Sequence, residues 1–215
     1  MKAKAHAPPP AGGSRRDLAW FYYGRGQARA QLSRLNDAID DANKAMEVGH
    51  GAIDAHMMGR LQQFAGIQHG FAGNLKQALA VYQDQIRDTD APGARGYFFN
   101  ASRNVAGFLI QMGDIGQADA YLRRSQALLQ EARTSGLPGW RTSYASLGQS
   151  WEADHEDHRA IIFEARGQLR EAETAYRQAE LSGALPSKAF WLSKTHRPRA
   201  KCCNTPIPWS SIRRG

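Results

Sequence analysis

Residues 155–158 read His-Glu-Asp-His, a dense run of side chains able to bind a metal or move a proton. Zinc peptidases place two histidines i, i+4 on one helix face, with a glutamate between them as base. Here His155 and His158 stand i, i+3, so that geometry is not reproduced. Two readings are left: a weak metal pair completed by a third ligand from a neighbouring helix, or a solvated polar helix face. Gly24-Arg25-Gly26 lacks the third glycine of a dinucleotide fingerprint, and no strand pattern precedes it. The chain has no phosphate-binding loop and no Gly-x-Ser-x-Gly elbow. Its two cysteines, Cys202 and Cys203, are adjacent, so no disulfide framework is implied. A vicinal pair does redox or metal chemistry only in a shaped, electropositive site; the alternative is incidental thiols. No catalytic residue, metal, cofactor or small-molecule substrate is therefore expected, and the chain does not read as an enzyme.

The elements that would hold these side chains follow from an internal repeat, whose detection decides the fold. A small residue is followed three positions later by a bulky one, then by Gly or Ser, then by an Ala-x-x-x-bulky segment. The copies are Gly26, Arg29, Ser33, Ala38, Ala42; Gly66, His69, Gly73, Ala78, Tyr82; Ala106, Leu109, Gly113, Ala118, Leu122; and Ala160, Phe163, Gly167, Ala172, Tyr176. Small residues let two antiparallel helices approach, and larger ones fill the space to the next unit. The glycines suit the left-handed backbone of a turn between helices. Segments after each turn, such as NLKQALAVYQDQI, carry apolar residues at i, i+3, i+4. The spacing predicts eight helices, at about 17–32, 35–48, 52–71, 74–88, 96–112, 115–133, 141–166 and 168–182. Breakers lie at Asp90–Gly93 and Leu137–Gly139, with a loop at Gly136–Gly139.

The order small, aromatic, Gly, Ala, aromatic, Ala resembles the tetratricopeptide (TPR) repeat over roughly residues 17–181. The alanine spacings of 40, 40 and 54 exceed the usual period of about 34, and the closing proline is missing. A period near 40 is similar to the long-helix variant of kinesin light chains and of bacterial proteins that place TPRs before a CHAT peptidase-like domain. The resemblance implies an all-α, right-handed α-α superhelix of about four helical hairpins. It implies a protein–protein interaction scaffold that binds a peptide or helix of a partner in a concave groove. Carried over position by position, the groove residues are Tyr23 and Gln27 in unit one; Arg60, Gln63 and Phe64 in unit two; Asn100, Arg103 and Asn104 in unit three; and Asp157 and His158 in unit four. Arg60, Asn100, Arg103 and Asn104 would make a locally positive middle suited to a carboxylate or a peptide backbone. The basic residues with which some TPR proteins clamp a chaperone's C-terminus are absent, so that function is not expected. A second reading is the regulatory region of a larger effector such as a CHAT-type peptidase. The aromatic runs Trp20–Tyr23 and Tyr97–Phe99 read as core and end-cap packing or as partner anchors.

The net charge of +8 invites a nucleic-acid reading, which its distribution narrows. Residues 1–16 carry four basic side chains and no acid, and 182–215 carry seven and no acid. Residues 17–181 hold 17 basic and 20 acidic residues, a net of −3. The basic ends would bind phosphate or an acidic surface without sequence preference; the repeat region is not expected to bind nucleic acid. The expected organisation is a disordered basic segment at 1–16, a repeat array at 17–182, and a basic tail at 183–215 with four prolines. That tail is either a genuine disordered segment or an out-of-frame or fragmentary end after about residue 182. No run of 18 apolar residues offers a membrane span. No signal peptide is seen, which leaves a cytoplasmic location as the expectation.

Overall fold

The computed structural model describes residues 2–182, so the expectations placed on 183–215 lie outside the described residues. Among the described residues nine helices follow one another: α1 (Lys2–His6), α2 (Arg15–Gln31), α3 (Leu35–Gly49), α4 (Ala55–Phe71), α5 (Leu75–Asp88), α6 (Arg95–Gln111), α7 (Ile115–Thr134), α8 (Pro138–Ala165) and α9 (Leu169–Leu181), with a short 3-10 turn at Pro92–Ala94. From α2 onward they pair as four helical hairpins, α2/α3, α4/α5, α6/α7 and α8/α9.

The same turn closes the first helix of every hairpin. Ser33, Gly73, Gly113 and Gly167 all take the left-handed backbone, with φ of 59°, 77°, 82° and 74°. The next amide in each copy reaches back to a carbonyl five residues earlier: Arg34 to Arg29, Asn74 to His69, Asp114 to Leu109 and Gln168 to Phe163, at 2.9–3.0 Å. This is the Schellman closure, which satisfies carbonyls that the helix end would otherwise orphan. It turns the chain back in three residues, so the next helix must lie antiparallel against the first.

At that close range the crossing positions have to be small. Ala38, Ala78, Ala106, Ala118 and Ala160 are fully buried, Ala172 nearly so, and Gly26 and Gly66 are buried with them. A Cβ on Gly66 would lie 2.5 Å from the ring of the fully buried Tyr82. Between hairpins the filling is larger: Tyr82, Val105, Phe108, Leu109, Leu122 and Ile162 form one cluster spanning the middle of the array.

The fourth hairpin departs from the others by length. α8 has 28 residues where α2, α4 and α6 have 17. Its extra N-terminal turns carry Trp140 and Trp151 onto Phe99, Leu128 and Leu129, a second cluster of buried residues. The expected loop at Gly136–Gly139 is shorter than anticipated, because Pro138 already opens α8. Proline fits a first helical turn, where its missing N–H has no partner to lose.

The N-terminal segment also differs from expectation. Lys2–His6 form α1, whose Ala5 is fully buried against α2, and Ser14 caps α2 in a reciprocal box with Asp17. The physical reason lies in α2. Arg25 donates to the Ala7 carbonyl at 2.9 Å and Arg29 to the Ala5 carbonyl at 3.1 Å. Both guanidiniums are braced by Asp41 of α3, at 2.7 and 2.9 Å. Asp41 is 2% exposed, so the two arginines compensate its burial while they hold the C-terminal end of α1.

Three outcomes follow for stability. Ser33 occupies a left-handed site without being glycine, so Ser33→Gly should raise stability by about 1 kcal/mol. Gly66→Ala should lower it by about 1–3 kcal/mol, because the Tyr82 ring has nowhere to move. Shifts in urea midpoint at unchanged slope would read both, and a destabilised Ser33→Gly would contradict the turn assignment. Asp41→Ala should cost about 3–5 kcal/mol, since it leaves two guanidiniums unpaired, and should speed hydrogen exchange at residues 4–7.

Candidate functional site

Curvature picks out the face to inspect. The first helices of successive units touch: α4 meets α6 and α6 meets α8, and the Tyr23 and Phe64 rings link α2 to α4 at 5.4 Å. The second helices α3, α5, α7 and α9 make no comparable contact with one another. The array is therefore tight on the side of α2, α4, α6 and α8 and splayed on the other, which makes their shared side the concave one.

The first half of this face is aromatic. Trp20 packs edge-on to Tyr23 at 5.5 Å, and Tyr23 edge-on to Phe64. Arg60 lies over the Trp20 ring, 5.8 Å from its centroid, and donates to the Tyr97 hydroxyl at 3.3 Å. His56 meets Tyr97 edge-on at 5.1 Å. Gln27 donates to the Tyr23 hydroxyl at 2.9 Å, while burial pushes the Tyr23 phenol up. Trp20 stays 36% exposed and Arg60 is exposed. The result is a continuous strip across three helices, with its cation held in place by aromatic neighbours.

The second half is polar and largely self-neutralised. Arg103 of α6 pairs with Asp154 of α8, both side chains mostly buried. The positive middle expected from Arg60, Asn100, Arg103 and Asn104 thus reduces to Arg60, because Asp154 spends the charge of Arg103 inside the protein. Asn100, Asn104 and Gln63 are half-buried on the same helices and make no side-chain hydrogen bond to another described residue. Asp157 is half-buried and engaged; burial first, then Glu164 and last Asp157 push the Tyr176 phenol up.

The His155–His158 pair is split by its neighbours. His155 turns to α7, where its Nδ1 lies 3.3 Å from the Ser125 hydroxyl; His158 turns to α6, its Nε2 beneath Gly107. Among the described residues no group of three or more His, Cys, Asp or Glu is placed to hold a metal ion. Glu156 pairs with Arg159, at 2.9 Å. Among the described residues the metal reading of this run finds no third ligand, and a fully solvated face does not describe it either, since His155 is buried and His158 half-buried.

Of the residues named from sequence, Tyr23, Gln27, Arg60 and Phe64 come together in one strip. Arg103 and His158 sit at the α6–α8 contact with Asp154. Trp20 and Tyr97 complete the strip and were grouped in sequence only with their neighbouring aromatics. Their positions relative to the repeat were the available signal: Trp20 stands six residues before Gly26, as Arg60 does before Gly66.

The fold and this face define an all-α array of repeated helical hairpins. No family model matches the chain, and no curated protein matches it. Among solved structures it is similar to the Rap conjugation gene regulator of the plasmid pLS20 in complex with the Phr* peptide, at a TM-score of 0.46 and 13% sequence identity, over 87% of this chain and 68% of that one. Among the described residues no helix is long and apolar enough to cross a membrane.

Both imidazoles, His155 buried and His158 half-buried, are held neutral. Burial pushes His155 down to about 4, helped by Arg159 and His158 and opposed by Glu152. Burial also pushes His158 down to about 4, with Arg103 adding and Asp154 opposing. The unfolded chain then binds protons that the folded chain refuses, so stability is full above about pH 6.5 and falls as pH drops toward 4. Melting temperatures measured from neutral pH to about pH 4.5 should fall less steeply in His155→Gln and in His158→Gln than in the parent chain. Parallel curves would show that the histidines do not set the acid limit.

Proposed function

We propose that the chain is a protein–protein interaction scaffold that binds a peptide or helical segment of a partner along its concave face. The observation that carries this reading is the strip Trp20–Tyr23–Phe64 with Arg60 and Tyr97. Aromatic and arginine side chains dominate binding energy at protein interfaces because they combine large apolar area with a polar edge and little flexibility. Tryptophan is highly buried on average, yet Trp20 stays open to solvent beside Arg60 on the face that curvature makes concave.

The partner chemistry divides along the groove. At the α2–α4 end the strip takes an apolar or aromatic side chain, with Arg60 available to a carboxylate or carbonyl at its edge. Further along, Gln63, Asn100 and Asn104 offer amide groups that pair with a peptide backbone in both directions. Arg103 contributes position through Asp154 and adds little free charge. With Arg60 the one exposed cation of the strip among the described residues, affinity should depend only weakly on salt.

The test is selection of peptides from a random displayed library against the full chain, followed by affinity measurements on variants. Trp20→Ala and Arg60→Ala each remove an exposed side chain and leave the small crossing positions untouched. Each should weaken the selected peptides by about tenfold or more, while Lys44→Ala on the exposed side of α3 should leave them unchanged. Peptides that bind all three variants as well as the parent would remove the groove from consideration.

A further inference from the structure

In each of the first three hairpins the residue two places after the left-handed turn is apolar and partly covered. Leu35, Leu75 and Ile115 are half-buried, and the last two pack against the central cluster shared with neighbouring units. Leu169 stands at the same place in the fourth hairpin and is 67% exposed. It borders a recess of about 430 Å³ along α9, walled also by Glu164 of α8 and by Glu173, Tyr176, Arg177 and Glu180. A single exposed leucine means little by itself. Here the other copies of the repeat show what the position is for: it is covered by another element.

The recess stays acidic after its internal pairing is counted. Arg177 holds Glu173 at 2.6 Å. Glu164 accepts from the Tyr176 hydroxyl at 3.0 Å, a neutral donor. Glu180 is exposed, and neither Glu164 nor Glu180 joins an ion pair among the described residues. Three carboxylates against one guanidinium leave a net charge of −2. The nearby arginines do not change this: Arg166 pairs with Asp119, and Arg170 lines another edge of α9 beside Phe163. An occupant of this face must be apolar where it meets Leu169 and basic where it meets Glu164 and Glu180.

The same chain carries such a sequence. It leaves α9 at Ser182, and residues 183–215 hold seven basic side chains and no acid. Among them Phe190, Trp191 and Leu192 are contiguous, with Lys188 and Lys194 on either side. From Ser182 to Trp191 the backbone can reach about 30 Å, whereas α9 is about 20 Å long. A return along the whole helix is therefore within reach. A second copy offering the same face would set −2 against −2 and be repelled.

We propose that residues 188–194 double back onto α9 and close this end of the array. Phe190, Trp191 and Leu192 lie on Leu169 and the rim of the recess, Lys188 toward Glu180 and Lys194 toward Glu164. Because segment and face share one chain, their effective concentration is in the mM range, and a weak contact suffices. What the concave face binds has no part in this contact.

The experiment is hydroxyl-radical labelling of the full chain, read residue by residue by mass spectrometry. The parent is compared with the triple variant Phe190→Ser, Trp191→Ser, Leu192→Ser and with the double variant Lys188→Glu, Lys194→Glu. Leu147, 48% exposed on α8, is the internal reference, and the fully buried Tyr82 reports that the fold is intact. With an effective concentration of about 1 mM and a contact of about 0.1 mM, Leu169 should be labelled about tenfold more slowly in the parent than in either variant. That difference should persist on dilution. Equal rates in all three proteins would show an open face and overturn the proposal. Slow labelling that is lost on dilution would assign the face to a second copy, and slow labelling that survives both variants would assign it to another part of the chain; either result also overturns it.

Discussion

Two helices joined by three residues can lie antiparallel at contact distance only where neither carries a large side chain at the crossing. That constraint, met by Gly26 with Ala38, Gly66 with Ala78, Ala106 with Ala118 and Ala160 with Ala172, is the one on which the rest of this protein depends. The left-handed turns at Ser33, Gly73, Gly113 and Gly167 set the angle, and the small residues set the distance. Once both are fixed, the bulky positions have one place left to go, which is between hairpins. The shared cluster around Tyr82, Phe108 and Leu122 is that place.

Because each hairpin packs mainly on its immediate neighbours, the array is close to one-dimensional. Local topology of this kind lowers the entropic cost of bringing contacts together during folding. It also explains how the fourth unit tolerates a first helix of 28 residues. The added turns extend along the array and find their own cover in Phe99 and Leu129, without shifting the crossing at Ala160 and Ala172.

The repeat was legible because it rests on residue sizes at fixed intervals. The helices from α2 to α9 fall within about three residues of where periodicity puts them, a normal error at helix ends. α1 was not legible: five residues of Lys, Ala and His have no apolar stripe, and their order comes from arginines that follow some twenty positions later. The same limit applies to the concave face. Periodicity marks which side chains share it, as with Tyr23, Arg60 and Phe64, but pairing decides what they can do there. Arg103 looks like a free cation until Asp154, 51 residues on, is seen to hold it. The histidines of the HEDH run were likewise judged against each other, whereas their surroundings on α6 and α7 decide their state.

The brace formed by Asp41, Arg25 and Arg29 gives the first few residues an unusual standing. Ala5 is buried and the carbonyls of Ala5 and Ala7 are the ends of a charged chain that reaches through α2 into α3. A protease that clipped after His6 would do more than shorten the protein. It would leave two guanidiniums tethered to a single carboxylate and lay open the buried Gly24, which the Lys4 side chain covers. The integrity of the first hairpin is thus coupled to a five-residue helix that lies outside it.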